Sequence, residues 1–209
     1  MESPELSTHI LNGEGARAHL EDLARLRIAV FSEWPYLYDG SLQYEQDYLE
    51  QYLREPRSMI VLVRDGEQAV GASTALPLES AEAEMQAPWR DQGVPLEEVL
   101  YFGESVVLPA YRGLGLGRRF FALREGHAST LGRSRCTFCA VQRPESHPAR
   151  PPDYVPNDGF WQRLGYVRRD DMVCHFPWVD IGDSQESSKA LVFWERRIAP
   201  PVNSTGQSS

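Results

Sequence analysis

Three cysteines in 209 residues are too few, and odd in number, for the disulfide framework of a small secreted protein. Two of them, Cys136 and Cys139, form a C-x-x-C. No second pair completes a zinc site, and on a strand the two side chains point to opposite faces. Buried structural thiols are therefore expected, and no metal. Long apolar runs are missing as well: none approaches the ~20 residues of a membrane span. Basic residues are outnumbered, 21 Lys and Arg against 30 Asp and Glu, for a net charge of −9. A nucleic-acid or anionic-membrane partner would want a basic face, so neither is expected, whereas a cationic amine suits the charge. The N-terminus, MESPELSTHI, lacks the basic-then-apolar order of a signal peptide, which makes a cytoplasmic protein the expectation. No internal repeat is evident.

What is present suffices for one core. At 42% hydrophobic, the chain supports a single α/β domain over residues 1–199, followed by a disordered tail, 200–209. The chain is organised around Val99 to Gly132. Val99 to Leu108 is β-branched and aromatic and reads as a buried strand, which Pro109 stops. Arg112-Gly-Leu-Gly-Leu-Gly-Arg118 follows, then a helix with apolar residues at 116, 120, 123, 128 and 131 and Gly132 as its cap. Glycines at 113, 115 and 117 leave backbone N–H groups bare where the chain turns into the helix. With Arg112 and Arg118 they make a site for a phosphate-bearing ligand. The spacing is neither G-x-G-x-x-G nor a loop ending in G-K-[ST], so it is not one of the common nucleotide motifs.

Elsewhere Ser7 to Leu11 reads as a first strand and Glu14 to Phe31 as a helix. A segment dense in aromatics, Trp34, Tyr36 and Tyr38, then leads to a helix capped by Ser41. That helix places Tyr44, Tyr48 and Tyr52 on one face, as core packing or as the wall of a site. Met59 to Arg64 and Gln68 to Leu76 form a hairpin about Asp65-Gly66. Residues 79–97 are polar, begin helix-like and include Pro88 and Pro95, and they look like an insertion before the central strand. Cys136 to Val141 is a short strand parallel to the central one. A loop with five prolines follows and reads as a stiff lid bearing His147, Arg150 and Tyr154. Met172 to Ile181 and Ala190 to Arg197 suit a final antiparallel pair.

The string Val107-x-Pro109-x-Tyr111-Arg-Gly-x-Gly-x-Gly117-Arg118 on a strand–turn–helix resembles the GNAT superfamily of acyl-CoA-dependent N-acyltransferases, whose motif is [QR]-x-x-G-x-[GA]. Phe160 to Tyr166 is similar to a second element of that family, F-Y-x-x-x-G-[FY]. The resemblance implies a mixed, twisted sheet of about seven strands, splayed between the fourth and fifth, with four or so helices. It implies that acetyl-CoA is the co-substrate, its pyrophosphate on Arg112, Gly113, Leu114, Gly115, Gly117 and Arg118. Its pantetheine arm would lie in the splay by Val106 and Val107, near Asn157 and Trp161. Trp34, Tyr36 and Tyr38 would wall the pocket of a small-molecule or peptide amine acceptor, and a homodimer stays open.

Acyl transfer by direct attack needs a neutral amine, and an alkyl ammonium has a pKa of roughly 10, so a base must take its proton. Glu104 is the candidate. It is an acidic residue in the apolar string LYFGESVVL, three positions before the carbonyl-polarising N–H expected near Val107. Strand parity puts it on the face of Phe102 and Val106 unless a bulge intervenes, and its alternative role is an ion pair with an arginine, Arg112 or one in the proline-rich loop. The family's usual acid is a tyrosine where this chain has Trp161, so Tyr154 or Tyr166 is the candidate to protonate the leaving thiolate, unless the thiolate takes the acceptor's own proton. That substitution keeps a second reading open, a non-catalytic acyl-CoA-binding module; a nucleotide-phosphate-binding protein is a more distant third.

Overall fold

The computed structural model describes residues 5–199, and the tail expected at 200–209 lies outside the described residues. Seven strands form one mixed sheet in the order β1-β2-β3-β4-β5-β7-β6. They are β1 (Leu6–Leu11), β2 (Met59–Asp65), β3 (Gln68–Pro77), β4 (Val99–Val107), β5 (Arg135–Val141), β6 (Val167–Val179) and β7 (Glu186–Arg197). Five α-helices accompany them among the described residues: α1 (Leu20–Phe31), α2 (Leu42–Arg54), α3 (Ala83–Asp91), α4 (Leu116–Thr130) and α5 (Asp158–Arg163). None is long and apolar enough to cross a membrane.

Alternation along the central strands builds two cores. Val99, Tyr101 and Val106 face α1, α2 and α3, packing with Leu23, Leu49 and Trp89. Leu100 and Phe102 face the other way, onto Phe121 of α4 and, through Phe138 and Tyr166, the α5 side. Cys136 and Cys139 accordingly fall in different layers, and all three thiols are free.

Several elements depart from the sequence reading. Residues Gly13–His19 form a 3-10 helix, not the first turns of α1. Gly13, at φ 41°, and Gly15 are poor α-formers. The stretch 79–97, helix-like at its start as read, holds α3, but α3 also carries core: it buries Met85 and Trp89 and sets the Trp89 ring edge-on to Phe193, 6.0 Å between centroids. Strands β6 and β7 run several residues further than their apolar cores. β6 is an edge strand whose exposed side carries charge and whose register breaks between Arg169 and Val173, so its ends lack an apolar signal.

Two local features position the site. The parallel pairing of β4 with β5 covers only Val99–Tyr101 against Arg135–Thr137; beyond it the strands part. Opposite the gap, the β3–β4 register shifts between Ser73 and Ala75, against the stretch from Phe102 to Ser105. This bulge breaks the strand parity: Glu104 shares its face with Val106 but not with Phe102.

Candidate active site

The turn after β4 is shaped by backbone conformations that only glycine adopts without strain. Gly113 and Gly115 have φ 81° and 83°, and a Cβ on either would meet open space. Gly115 is the N-cap of α4 and provides no side-chain cap, so the first N–H groups of the helix face outward unpaired. They open onto a cleft of about 1120 Å³, which Gly113, Gly115, Gly117 and Arg118 all line. The positive helix end, the free N–H groups and Arg118 make a donor set for a doubly charged anion such as a pyrophosphate. Arg112 also lines the cleft, but its guanidinium is engaged: Nη2 donates to Glu33 at 2.8 Å and Nε to the Val107 carbonyl at 3.1 Å. It ties the turn to the segment after α1. The side chain of Leu114 is 52% exposed and stands outside the cleft wall.

From the turn the cleft runs along the split between β4 and β5. Val107 and Glu104 line it from β4, Phe138 to Val141 from β5, and Asn157 and Trp161 from the start of α5. Val106 does not; its side chain is fully buried in the core on the α1 face. The proline-rich loop closes one side, contributing Ala149, Pro151 and Tyr154. Trp34 meets this loop, its ring 5.0 Å from that of His147 and 6.0 Å from that of Tyr154. Trp34 lines the large cleft, and its buried indole N–H has no partner among the described residues. Tyr166 is buried and donates its hydroxyl to Glu125 at 3.0 Å, away from the cleft. Of the two candidate acids, only Tyr154 reaches the cavity; burial raises its pKa and keeps it protonated.

A second cavity, of about 110 Å³, lies on the α1–α2 side and shares walls with the first at Phe31, Tyr36, Gly103 and Cys139. Tyr36 and Tyr38 line it, together with Tyr44, Tyr48 and Tyr52 from α2. The segment that carries Tyr36 and Tyr38 is stitched to the end of β6. Trp178 Nε1 donates to the Tyr36 carbonyl at 3.1 Å, and Arg143 donates to the Pro35 and Tyr36 carbonyls at 3.0 and 2.7 Å. Leu37 takes a left-handed conformation, φ 54°, at a cost of about 1–2 kcal/mol, and its carbonyl accepts from the Ile181 N–H at 2.7 Å.

Between the cavities sits a buried charge cluster. Arg27 of α1 donates to Glu45 of α2 in a very short hydrogen bond, and its Nη1 lies 2.5 Å from Glu104 Oε2. The second contact is ionic but poorly aligned, since Glu104 Oε2 receives no hydrogen bond with proper geometry. Burial pushes the Glu104 carboxyl above the usual carboxylate range, against the pull of the Arg27 charge. On the other side of β4, Arg124 of α4 holds the bulge: Nη1 donates to the Glu104 carbonyl at 3.0 Å and the Thr74 carbonyl at 3.3 Å, and Nη2 to Ser105 Oγ at 2.7 Å. Burial lowers its pKa to about 10, against the pull of neighbouring Glu104 and Glu125.

The arginine paired with Glu104 is thus neither Arg112 nor one from the proline-rich loop. Arg27, Glu45 and Cys139 escaped the sequence reading. Arg27 and Glu45 had a signal, since each is a charged residue on the apolar stripe of its helix. Cys139 had none; only the parting of β4 and β5 places it at the meeting of two cavities.

Comparison with known proteins follows the same lines. The family model described as "Acetyltransferase (GNAT) family" matches residues 21–166. No curated protein matches the sequence. Similar solved structures include the ribosomal-protein-S18-alanine N-acetyltransferase of Escherichia coli, at 11% identity and TM-score 0.56, covering 97% of this chain and 99% of that one. An aminoglycoside 6′-N-acetyltransferase complexed with coenzyme A has 15% identity and TM-score 0.56, over 92% and 98% of the two chains. A Salmonella typhimurium protein solved with its cofactor acetyl-CoA has 13% identity and TM-score 0.53, over 93% and 94%. At these identities the likeness is one of fold.

Proposed function

The chain belongs to the GNAT acetyltransferase family, and from that premise we propose that it transfers an acetyl group from acetyl-CoA to the nitrogen of an amine. The observation that carries this reading is the meeting of two unequal cavities at the split between β4 and β5. The large cleft, with its uncapped helix terminus and unpartnered Trp34 N–H, suits the coenzyme; the small aromatic pocket suits the acceptor. Residues 1–199 are taken as one catalytic domain, acting in the cytoplasm.

Acetyl-CoA supplies a thioester. The chain's own groups do the rest. In the proposed sequence, Glu104 receives the proton of the acceptor ammonium, directly or through a water, and the free amine attacks the carbonyl carbon at the junction. A β4 N–H beyond the last β5 pairing, near Val107, polarises the carbonyl oxygen. The C–N bond forms and the C–S bond breaks; Tyr154 gives its proton to the departing sulfur, whose conjugate acid has a pKa of about 8.5, and the second proton of the attacking nitrogen passes through water to restore the Tyr154 hydroxyl. Arg27 holds Glu104 in place and pulls its carboxyl toward the charged form, against the larger effect of burial.

A thiol-release assay with acetyl-CoA and a panel of small amines tests this. Release that depends on the amine is expected. Tight acetyl-CoA binding with no release against any amine would leave an acyl-CoA-binding module, the reading that Trp161 in place of a tyrosine supports.

A further inference from the structure

The small pocket has a charge imbalance. Among the described residues Arg27 is the one basic residue on its wall, and two carboxylates, Glu45 and Glu104, already claim that guanidinium. The Glu45 side chain is fully buried, and its Oε1 has no hydrogen-bond partner among the described residues. Glu82, at the N-terminus of α3, lines the same pocket and has no ion pair or side-chain hydrogen bond among the described residues; burial raises its pKa. A buried carboxylate oxygen left without a donor is costly, and a bound cation would supply the donor. Much of the rest of the wall is aromatic. Tyr38 and Tyr44 stand at one end, with ring centroids 6.3 Å apart, and Tyr36 and Trp178 stack at 6.1 Å. Aromatic faces attract an ammonium and accept a hydrocarbon body equally well.

We propose that the acceptor is a compact amine with a slim apolar body and no acid group: a decarboxylated amine, not an α-amino acid. This rests on the reading of the small pocket as the acceptor site. Among the described residues no free cation remains on the wall to meet a substrate carboxylate. A carboxylate entering the pocket would lie beside the Glu45 and Glu82 charges in a poorly solvated space, where like-charge contact is strongly unfavourable. The pocket's volume, a tenth of the coenzyme cleft's, leaves little room for a peptide backbone or a linked sugar.

The test is a matched pair, phenethylamine and phenylalanine, which differ only by the carboxylate. Calorimetry with the enzyme saturated in coenzyme A should give at least tenfold tighter binding for phenethylamine. Glu82→Gln should weaken phenethylamine about tenfold while leaving the uncharged isostere 2-phenylethanol within twofold, a split that a merely structural loss would not produce. Glu45→Gln, checked for folding by its thermal melt, should shift the same ratio in the same direction. Equal or tighter binding of phenylalanine, no binding of either compound, or equal losses of amine and alcohol in Glu82→Gln would overturn the inference. Thiol release in the same samples separates the two levels. Selective amine binding without release contradicts the proposed acetyl transfer and leaves the pocket's selectivity standing; release with both compounds at equal kcat/KM supports transfer and removes the selectivity.

Discussion

Glu104 illustrates how a single side chain is caught between two requirements. A base for an ammonium must be ionised at working pH, yet a carboxylate in an apolar wall resists ionisation. Arg27 at 2.5 Å shifts the balance toward the charged form, and burial shifts it back further, so the carboxyl titrates above its usual range of about 4.3. The sign of the pH effect follows. Activity requires the deprotonated form, so kcat should rise with pH through this raised pKa, giving an acidic limb closer to neutrality than an exposed glutamate would. Glu104→Gln should lower kcat by about 10²–10⁴-fold, leave acetyl-CoA affinity nearly unchanged and remove that limb. A glutamine variant with near-full kcat and the same limb would reduce Glu104 to a structural partner of Arg27. Its neighbour Gly103 has a plainer constraint: a Cβ there would sit 2.0 Å from the Tyr52 hydroxyl and 2.6 Å from Thr74 Oγ1.

Among the elements, the turn into α4 concentrates the contacts proposed for the coenzyme. Its glycines serve two ends, positive φ and an unobstructed approach to the helix terminus. Gly115→Glu tests both. The space around Gly115 is open, so the fold should survive with a loss of about 1 kcal/mol for the left-handed backbone. The new carboxylate, by contrast, would occupy the anion's position at the positive helix end, and calorimetry should detect no coenzyme A binding. Unchanged affinity in a folded variant would move the pyrophosphate elsewhere. Arg124 belongs at this scale too: its bonds to two carbonyls hold the β3–β4 bulge that turns Glu104 toward Arg27.

Across the whole molecule, Arg143 connects parts far apart in sequence. Leaving β5, it binds the carbonyls of Pro35 and Tyr36 and both oxygens of Asp180, at 2.6 and 2.8 Å, while Lys189 reaches the same carboxylate at 3.3 Å. The wall of the small pocket thus depends on a buried junction between the loop after α1, the end of β5 and the β6–β7 hairpin. Arg143→Met should cost about 2 kcal/mol, the lower end for a broken buried pair because Lys189 still faces Asp180. For a chain of this size that is a Tm lower by about 4–8 °C. The acceptor KM should rise well above any change in the acetyl-CoA KM. Equal rises in both would mean the junction supports the sheet as a whole and not the pocket.

The sequence by itself determined the elements with strong local chemistry. The β-branched run of β4 stopped by Pro109, the glycine turn, the Ser41 cap, whose Oγ accepts from the Tyr44 N–H, and the short apolar β5 are all readable from neighbours in the chain. Periodicity and turn chemistry act over a few residues, so they survive without a tertiary frame. What only the tertiary structure decided lies where distant residues share a buried volume. The β3–β4 bulge reversed the face on which Glu104 lies, and Arg27, 77 positions before it, became its partner in place of Arg112. Arg112 was drawn off by Glu33, and Trp34 faced the large cleft because the proline-rich loop folded back onto it. A buried charge takes whichever partner packing brings within reach, and that distance is set by the fold, not by spacing along the chain.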